Sequence, residues 1–108
     1  MKTLGQLRVG DTFYLINYDE SNHISDVREK VVSVITYFTT CKIVEYRDAK
    51  GNLRGTIVTK DDFDNTNATS YCLQAICSDK RRCLELLKKD KKSFLDNYSR
   101  IITKLNDE

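Results

Sequence analysis

Thr12-Phe-Tyr-Leu-Ile-Asn17 is the first run with a readable pattern. It follows a Gly10-Asp11 turn and is apolar on both faces, Phe13 and Leu15 on one, Tyr14 and Ile16 on the other. A strand of that kind belongs inside a closed or covered sheet. Asp19 to Asn22 is a polar loop, and the run from Lys30 to Cys41 is too rich in β-branched residues for a helix. Lys42 to Arg47 continues in the same style without a firm turn signal between them. Either one long strand bends here to serve two sides of a small barrel, or Thr39-Thr40 makes an inconspicuous turn. Asp48 to Asn52 reads as a hairpin loop with Gly51 free to take positive φ, and Leu53 to Lys60 returns as a strand with Leu53, Ile57 and Thr59 on one face. Residues 61–70 read as a polar loop or a single helical turn. Tyr71 to Cys77 is the last strand, with Tyr71, Leu73, Ala75 and Cys77 on one face. Short strands and turns at this spacing predict a compact β-barrel or a strongly bent antiparallel sheet.

From residue 79 the period changes. Ser78 suits an N-cap and Asp79 suits a helix dipole. Leu84, Leu87, Phe94, Tyr98, Ile101 and Leu105 then follow at spacings of three and four if Lys91 fills one gap, and Leu95 and Ile102 widen the stripe. One helix over this span would be about 40 Å long. A globule of the preceding 78 residues spans only about 30 Å. The pattern therefore predicts a helical hairpin broken near Lys88–Lys92, with Ser93 as a new cap, or one long helix whose free end meets another subunit. The apolar seam is the candidate helix interface. The fold class is α+β: a small β-barrel or bent sheet over 1–78 and a C-terminal helix or hairpin over 79–108, forming one domain overall.

Charge changes this picture only locally. The chain of 108 residues has a formal net charge of +2, and the basic excess lies after residue 78. Lys80, Arg81, Arg82, Lys88, Lys89, Lys91 and Lys92 face only Glu85 and Asp90 within their segment, a candidate phosphate-tracking surface. Arg81, Lys88 and Lys92 share one side of a helical wheel, whereas Lys91 falls in the apolar seam. No aromatic accompanies the charges before Phe94. A solvated helix face is the competing explanation.

The chemistry-bearing residues are sparse. Cys41, Cys72, Cys77 and Cys83 lack the close paired spacing of a zinc site and read as small core residues. Asp62-x-Asp64-x-Thr66 opens like a calcium loop but places Asn67 where the glycine belongs and Leu73 where the bidentate glutamate belongs. His23 is the single histidine, too few for a histidine-rich zinc centre. Neither standard nucleotide-binding loop is present. Tyr14, Tyr18, Tyr37, Tyr46 and Tyr71 could line a pocket or simply build sheet. No catalytic, metal-binding or cofactor-binding residue is assigned, and no small-molecule substrate is indicated. No apolar run is long enough for a transmembrane helix, and the first residues lack a secretory leader pattern, so no membrane role and a cytoplasmic location are expected. The sequons at Asn67 and Asn97 are then chance matches. The abundance of Lys, Asn, Ile, Tyr and Phe over Gly, Ala and Pro suggests an AT-rich genome, as in low-GC bacteria and their phages.

Val9-Gly10-Asp11-Thr-Phe-Tyr-Leu-Ile, the alternating Val/Ile run, Ile43-Val-Glu-Tyr46, the Gly51 hairpin and Ala75-Ile-Cys-Ser78-Asp-Lys stand in a familiar order. Together they resemble small uncharacterised proteins of bacteria and phages that open with Gly-Asp before a strand. The resemblance implies an SH3-like barrel with a C-terminal helix and transfers no catalytic residue. The functional expectation is a non-enzymatic interaction module that binds a protein partner or itself through the C-terminal helix and the barrel rim. The alternative is a nucleic-acid-binding accessory protein using Lys80–Lys92.

Overall fold

The structure is a computed structural model that describes residues 2–70, 74–90 and 95–106, with the side chains of 70 and 95–99 excepted. The elements are a 3-10 turn (Leu4–Gln6), β1 (Thr12–Tyr18), β2 (Ile24–Val31), β3 (Val34–Tyr37), β4 (Cys41–Arg47), β5 (Leu53–Thr59), a 3-10 turn (Lys60–Asp62), β6 (Asn67–Ser70), β7 (Gln74–Cys77), α1 (Lys80–Asp90) and α2 (Leu95–Asn106). Strands β2-β1-β7-β6 form one antiparallel sheet and β3-β4-β5 a second. Among the described residues no ladder joins the sheets into a closed barrel.

Strand β1 lies between β2 and β7 and is covered on both faces, as its double apolar pattern requires. Phe13 and Leu15, with Ile76 of β7, pack against Val44, Tyr46 and Val58 of the second sheet. Tyr14 and Ile16 face the helices, in a cluster with Ile24, Val27, Cys83, Leu87, Ile101 and Leu105.

Of the two alternatives for the junction of the β-branched runs, the Thr39-Thr40 turn is the one that occurs, and β3 and β4 are separate antiparallel strands; a bend lies elsewhere. The chain bends at Val32-Ser33, where Val32 N–H donates to Asp11 C=O (2.9 Å) beside the first sheet and Ser33 N–H donates to Glu45 C=O (2.8 Å) in the second. One extended run thus passes from sheet to sheet. Gly10, at φ +94°, sits opposite the bend and donates to Val32 C=O. The Thr39-Thr40 turn is closed by Phe38 N–H to Cys41 C=O at 2.8 Å.

Three expectations need correction. Strand β2 begins at Ile24, where the sequence shows no clean alternation. The ladder skips Ser25, pairing Asn17 with Asp26 and Tyr18 with Ile24, so Ile24 and Val27 reach the same core although three residues apart. Residues 61–70 are not only loop and helical turn, because Asn67–Ser70 forms edge strand β6 against β7. Its polar Asn-Ala-Thr-Ser sequence hides it, since an edge strand need not be apolar. The N-cap of α1 is Asp79, whose Oδ2 accepts from Arg82 N–H at 3.0 Å. Ser78 instead donates to Lys2 C=O at 2.7 Å and ties the start of the chain to the end of β7.

The C-terminal segment is two helices, and both dock. Helix α1 packs on β1 and β7, and α2 packs on β2. Asp90 explains the lone acid among the lysines. Its Oδ2 accepts from Ile24 N–H at 2.6 Å and its Oδ1 lies 3.4 Å from His23 Nδ1, pinning the end of α1 to the start of β2. The proposed Ser93 cap lies outside the described residues.

Candidate functional site

With the helices covering one face of the first sheet and the second sheet covering the other, none of the described residues covers the outer face of β3-β4-β5. Ile43 pairs with Thr36 on one side and Ile57 on the other, a row across all three strands. Val34, Leu53 and Ile57 on this face are exposed. At the β3–β4 turn the two aromatics Tyr37 and Phe38 are 67% and 57% exposed. Thr39-Thr40 closes the turn there with no glycine, so aromatic side chains stand at a tight tip. Gly55 lies within this face, and a Cβ there would stand 3.1 Å from Ile43 Cγ2. Its absence lets Ile43 lie flat across the sheet. The face has two charged neighbours, Glu45 on β4 and Arg47 opposite Leu53.

Beneath the tip is a buried cation. Lys42 alternates with Val44 and Tyr46 toward the space between the sheets and has no solvent-accessible surface. Its ammonium has no hydrogen-bond partner among the described residues. It lies 5.5 Å from the Phe63 ring centroid and 6.0 Å from that of Tyr37. Two aromatic faces thus replace part of its hydration. Burial lowers its pKa below the ordinary lysine value. The site combines an exposed aromatic tip, an apolar sheet face and an unpaired ammonium under the tip.

The residues singled out in the sequence are distributed differently. Leu87, Ile101 and Leu105 are buried against the protein's own sheet, and Leu84 packs beside them. The seam is thereby occupied from within, while Phe94 and the side chain of Tyr98 lie outside the described residues. In the basic segment Arg81, Lys88 and Lys89 are exposed, and Lys80 is half-buried. Arg82 is engaged with Asn67 Oδ1 (3.2 Å) and Glu85 Oε2 (3.1 Å). Lys91 and Lys92 lie outside the described residues. The five described residues are not uniformly exposed, three standing at the surface of α1 and Arg82 engaged locally.

Cys77 and Cys83 are buried core thiols and Cys41 is half-buried. Burial, with a smaller contribution from Cys77, pushes the Cys83 thiol up to about 12. Asp62 uses its carboxylate locally, accepting from Thr59 Oγ1 at 2.9 Å and Asn65 Nδ2 at 3.3 Å. The described tyrosines do not share a pocket: Tyr14 and Tyr18 face the helices, Tyr46 meets Phe13 edge-on between the sheets, and Tyr37 stands at the tip; Tyr71 lies outside the described residues. Sequence reasoning passed over Lys42 and Phe38. The signal for Lys42 was its place in a Lys-Ile-Val-Glu-Tyr alternation on the side of Val44 and Tyr46. No family model, no curated protein and no solved structure matches this chain.

Proposed function

We propose that the protein is a non-enzymatic interaction module that binds a protein surface, a partner's or a second copy's, through the Tyr37-Phe38 tip and the outer face of β3-β4-β5. The carrying observation is the pair of exposed aromatics at that tip, at the end of the strands whose outer face exposes Val34 and Ile57; Tyr37, paired with Lys42, stands on the opposite side from Val34. Aromatics are costly to leave in water and are the side chains that most often anchor interfaces. This keeps the rim of the expected reading and moves the contact away from the helices. The bend at Val32-Ser33 that carries one strand run between two sheets supports an SH3-like arrangement. A cytoplasmic setting accords with free thiols at Cys41, Cys77 and Cys83.

The test is a photo-crosslinking residue at position 38, compared with one at exposed Glu20, together with sedimentation velocity over a range of concentrations. A discrete adduct from position 38, lost in an Ile57→Lys background, supports the reading. A monomer at every concentration with no adduct beyond that from position 20 rejects it.

A second reading, nucleic-acid binding through Lys80–Lys92, draws on the exposed Arg81, Lys88 and Lys89 of α1. Its signature is duplex affinity that falls steeply with salt and is lost when these three are changed to Gln.

A further inference from the structure

A separate feature lies on the opposite side of the strand run, where two clefts share a wall. The first, of about 330 Å³, opens where the space between the sheets turns polar, and Arg28, Lys30, Tyr46, Asp48 and Arg54 line it. The second, of about 350 Å³, lies between β2 and α2, and Asp26, Arg28, Arg100 and Lys104 line it. Arg28 belongs to both. Five cations and two carboxylates therefore line the two adjoining clefts, leaving three positive charges in excess.

The placement follows from alternation on β2. Arg28 and Lys30 pair with Leu15 and Phe13 and so point to the second-sheet side of β1. At that end the apolar core has run out, and Asn17 and Gln74 are paired across β1 and β7 instead of apolar residues. The aspartates orient the arginines: Arg28 meets Asp26 through Nε at 2.7 Å and Arg54 meets Asp48 through Nε at 3.1 Å. Held by Nε, each guanidinium keeps its two terminal nitrogens for another acceptor. The ammonium of Lys30 rests 5.2 Å from the Tyr46 ring centroid. Lys30, Arg100 and Lys104 have no ion pair among the described residues. Burial raises the Tyr46 pKa, so its phenol stays a hydrogen-bond donor at neutral pH.

We propose that these adjoining clefts bind an oligophosphate, an anion with at least two linked phosphate groups, one in each cleft and both in contact with Arg28. Two clefts of this size with polar walls suit linked compact anions better than one apolar ligand. Planar arginine donors match phosphate oxygens in pairs. The phosphates come either from a free polyphosphorylated compound or from a nucleic-acid backbone.

The test titrates tripolyphosphate into the labelled full chain at low salt, following amide shifts by NMR, and in parallel titrates a fluorescent oligothymidylate. Tripolyphosphate should shift amides of 26–30, 54 and 100–104. Arg28→Gln should weaken binding at least about tenfold, ~1.4 kcal/mol. Arg54→Gln and Arg100→Gln should each weaken it less. Changing Arg81, Lys88 and Lys89 together to Gln should leave it unchanged. Binding of tripolyphosphate alone supports the proposal with a free compound as source, and competition between the two probes supports it with nucleic acid as source. Four outcomes overturn the proposal. They are no shifts with tripolyphosphate, unchanged binding by Arg28→Gln, equal loss in the α1 triple variant, and no effect of Arg54→Gln and Arg100→Gln.

Discussion

Replacing Lys42 by Met should stabilise the protein. The ammonium has no accessible surface and no hydrogen-bond partner among the described residues. Leaving a buried donor unsatisfied costs about 1–3 kcal/mol, and more for a charged one. Two effects offset that cost. Tyr37 and Phe63 supply cation–π contacts worth roughly 0.5–2 kcal/mol each. The cover is also thin, because Tyr37 itself is 67% exposed, so the local dielectric response is nearer that of a protein surface than of a dry interior. Met keeps the stem length and the aromatic contacts without the charge, for a net gain of about 1–2 kcal/mol. In a domain of this size that is a rise in Tm of roughly 4–8 °C.

The pH dependence separates this mechanism from better packing alone. Burial lowers the folded-state pKa of Lys42 from 10.5. Between that folded pKa and 10.5 the unfolded chain holds a proton that the folded chain has lost, so the stability of the natural sequence rises with pH across this window. Below the window both states are protonated and the full penalty applies. The advantage of Lys42→Met, measured by urea unfolding, should therefore be largest at neutral pH and shrink as pH approaches 10.5. Tyrosine titration is common to both proteins and cancels in the difference. A variant less stable than the natural sequence at neutral pH, or an advantage that does not change with pH, would refute the reasoning.

Other perturbations test other joints. Asp90→Ala removes the acceptor of Ile24 N–H and should cost about 1–3 kcal/mol in urea unfolding, with hydrogen exchange at Ile24 accelerated. An unchanged exchange rate would contradict the clamp. Gly5→Ala should destabilise by about 1–3 kcal/mol, because its Cβ would stand 2.8 Å from Phe63 Cβ and from Phe63 carbonyl oxygen. A neutral result by thermal unfolding would mean that the two 3-10 turns separate freely. Iodoacetamide at neutral pH should label Cys41 well before Cys77 or Cys83, read by peptide mass spectrometry, since burial raises the pKa of both core thiols. Equal labelling of Cys83 in the native protein would place that thiol outside the core.

Regular patterns were legible and interruptions were not. The double apolar face of Thr12–Asn17 announced a strand covered on both sides, and β1 is one. The seam through Leu84, Leu87, Ile101 and Leu105 announced helix, and its length left open a hairpin or one long helix with a free end, of which two docked helices are the outcome. The sequence says nothing, however, of what covers a seam. Here the partner of Leu105 is the chain's own sheet. Strand β2 was missed because a bulge at Ser25 shifts its alternation, a matter of backbone register that no single side chain declares. Strand β6 was missed because its residues are polar. The basic cluster was conspicuous because its members are adjacent in sequence. The cations around Arg28 were not, since β2, β5 and α2 bring them together only on folding.

The two-sided burial of β1 carries a cost in information. A strand with one apolar face resists slipping, because a shift by one residue would turn that face to water. Phe13 to Ile16 would find a greasy environment in either phase, so this stretch cannot by itself tell the correct pairing from its neighbour. The decision must lie with less hydrophobic residues. A slip of β2 would carry Arg28 and Lys30 toward the apolar cluster beneath the helices. The loop before β2 blocks it further, with Asp19 Oδ1 accepting from Ser21 and His23 N–H at 2.9 and 3.0 Å and Asn22 held at φ 62°. In this protein the oily residues supply the driving force for folding, and the charged ones keep count.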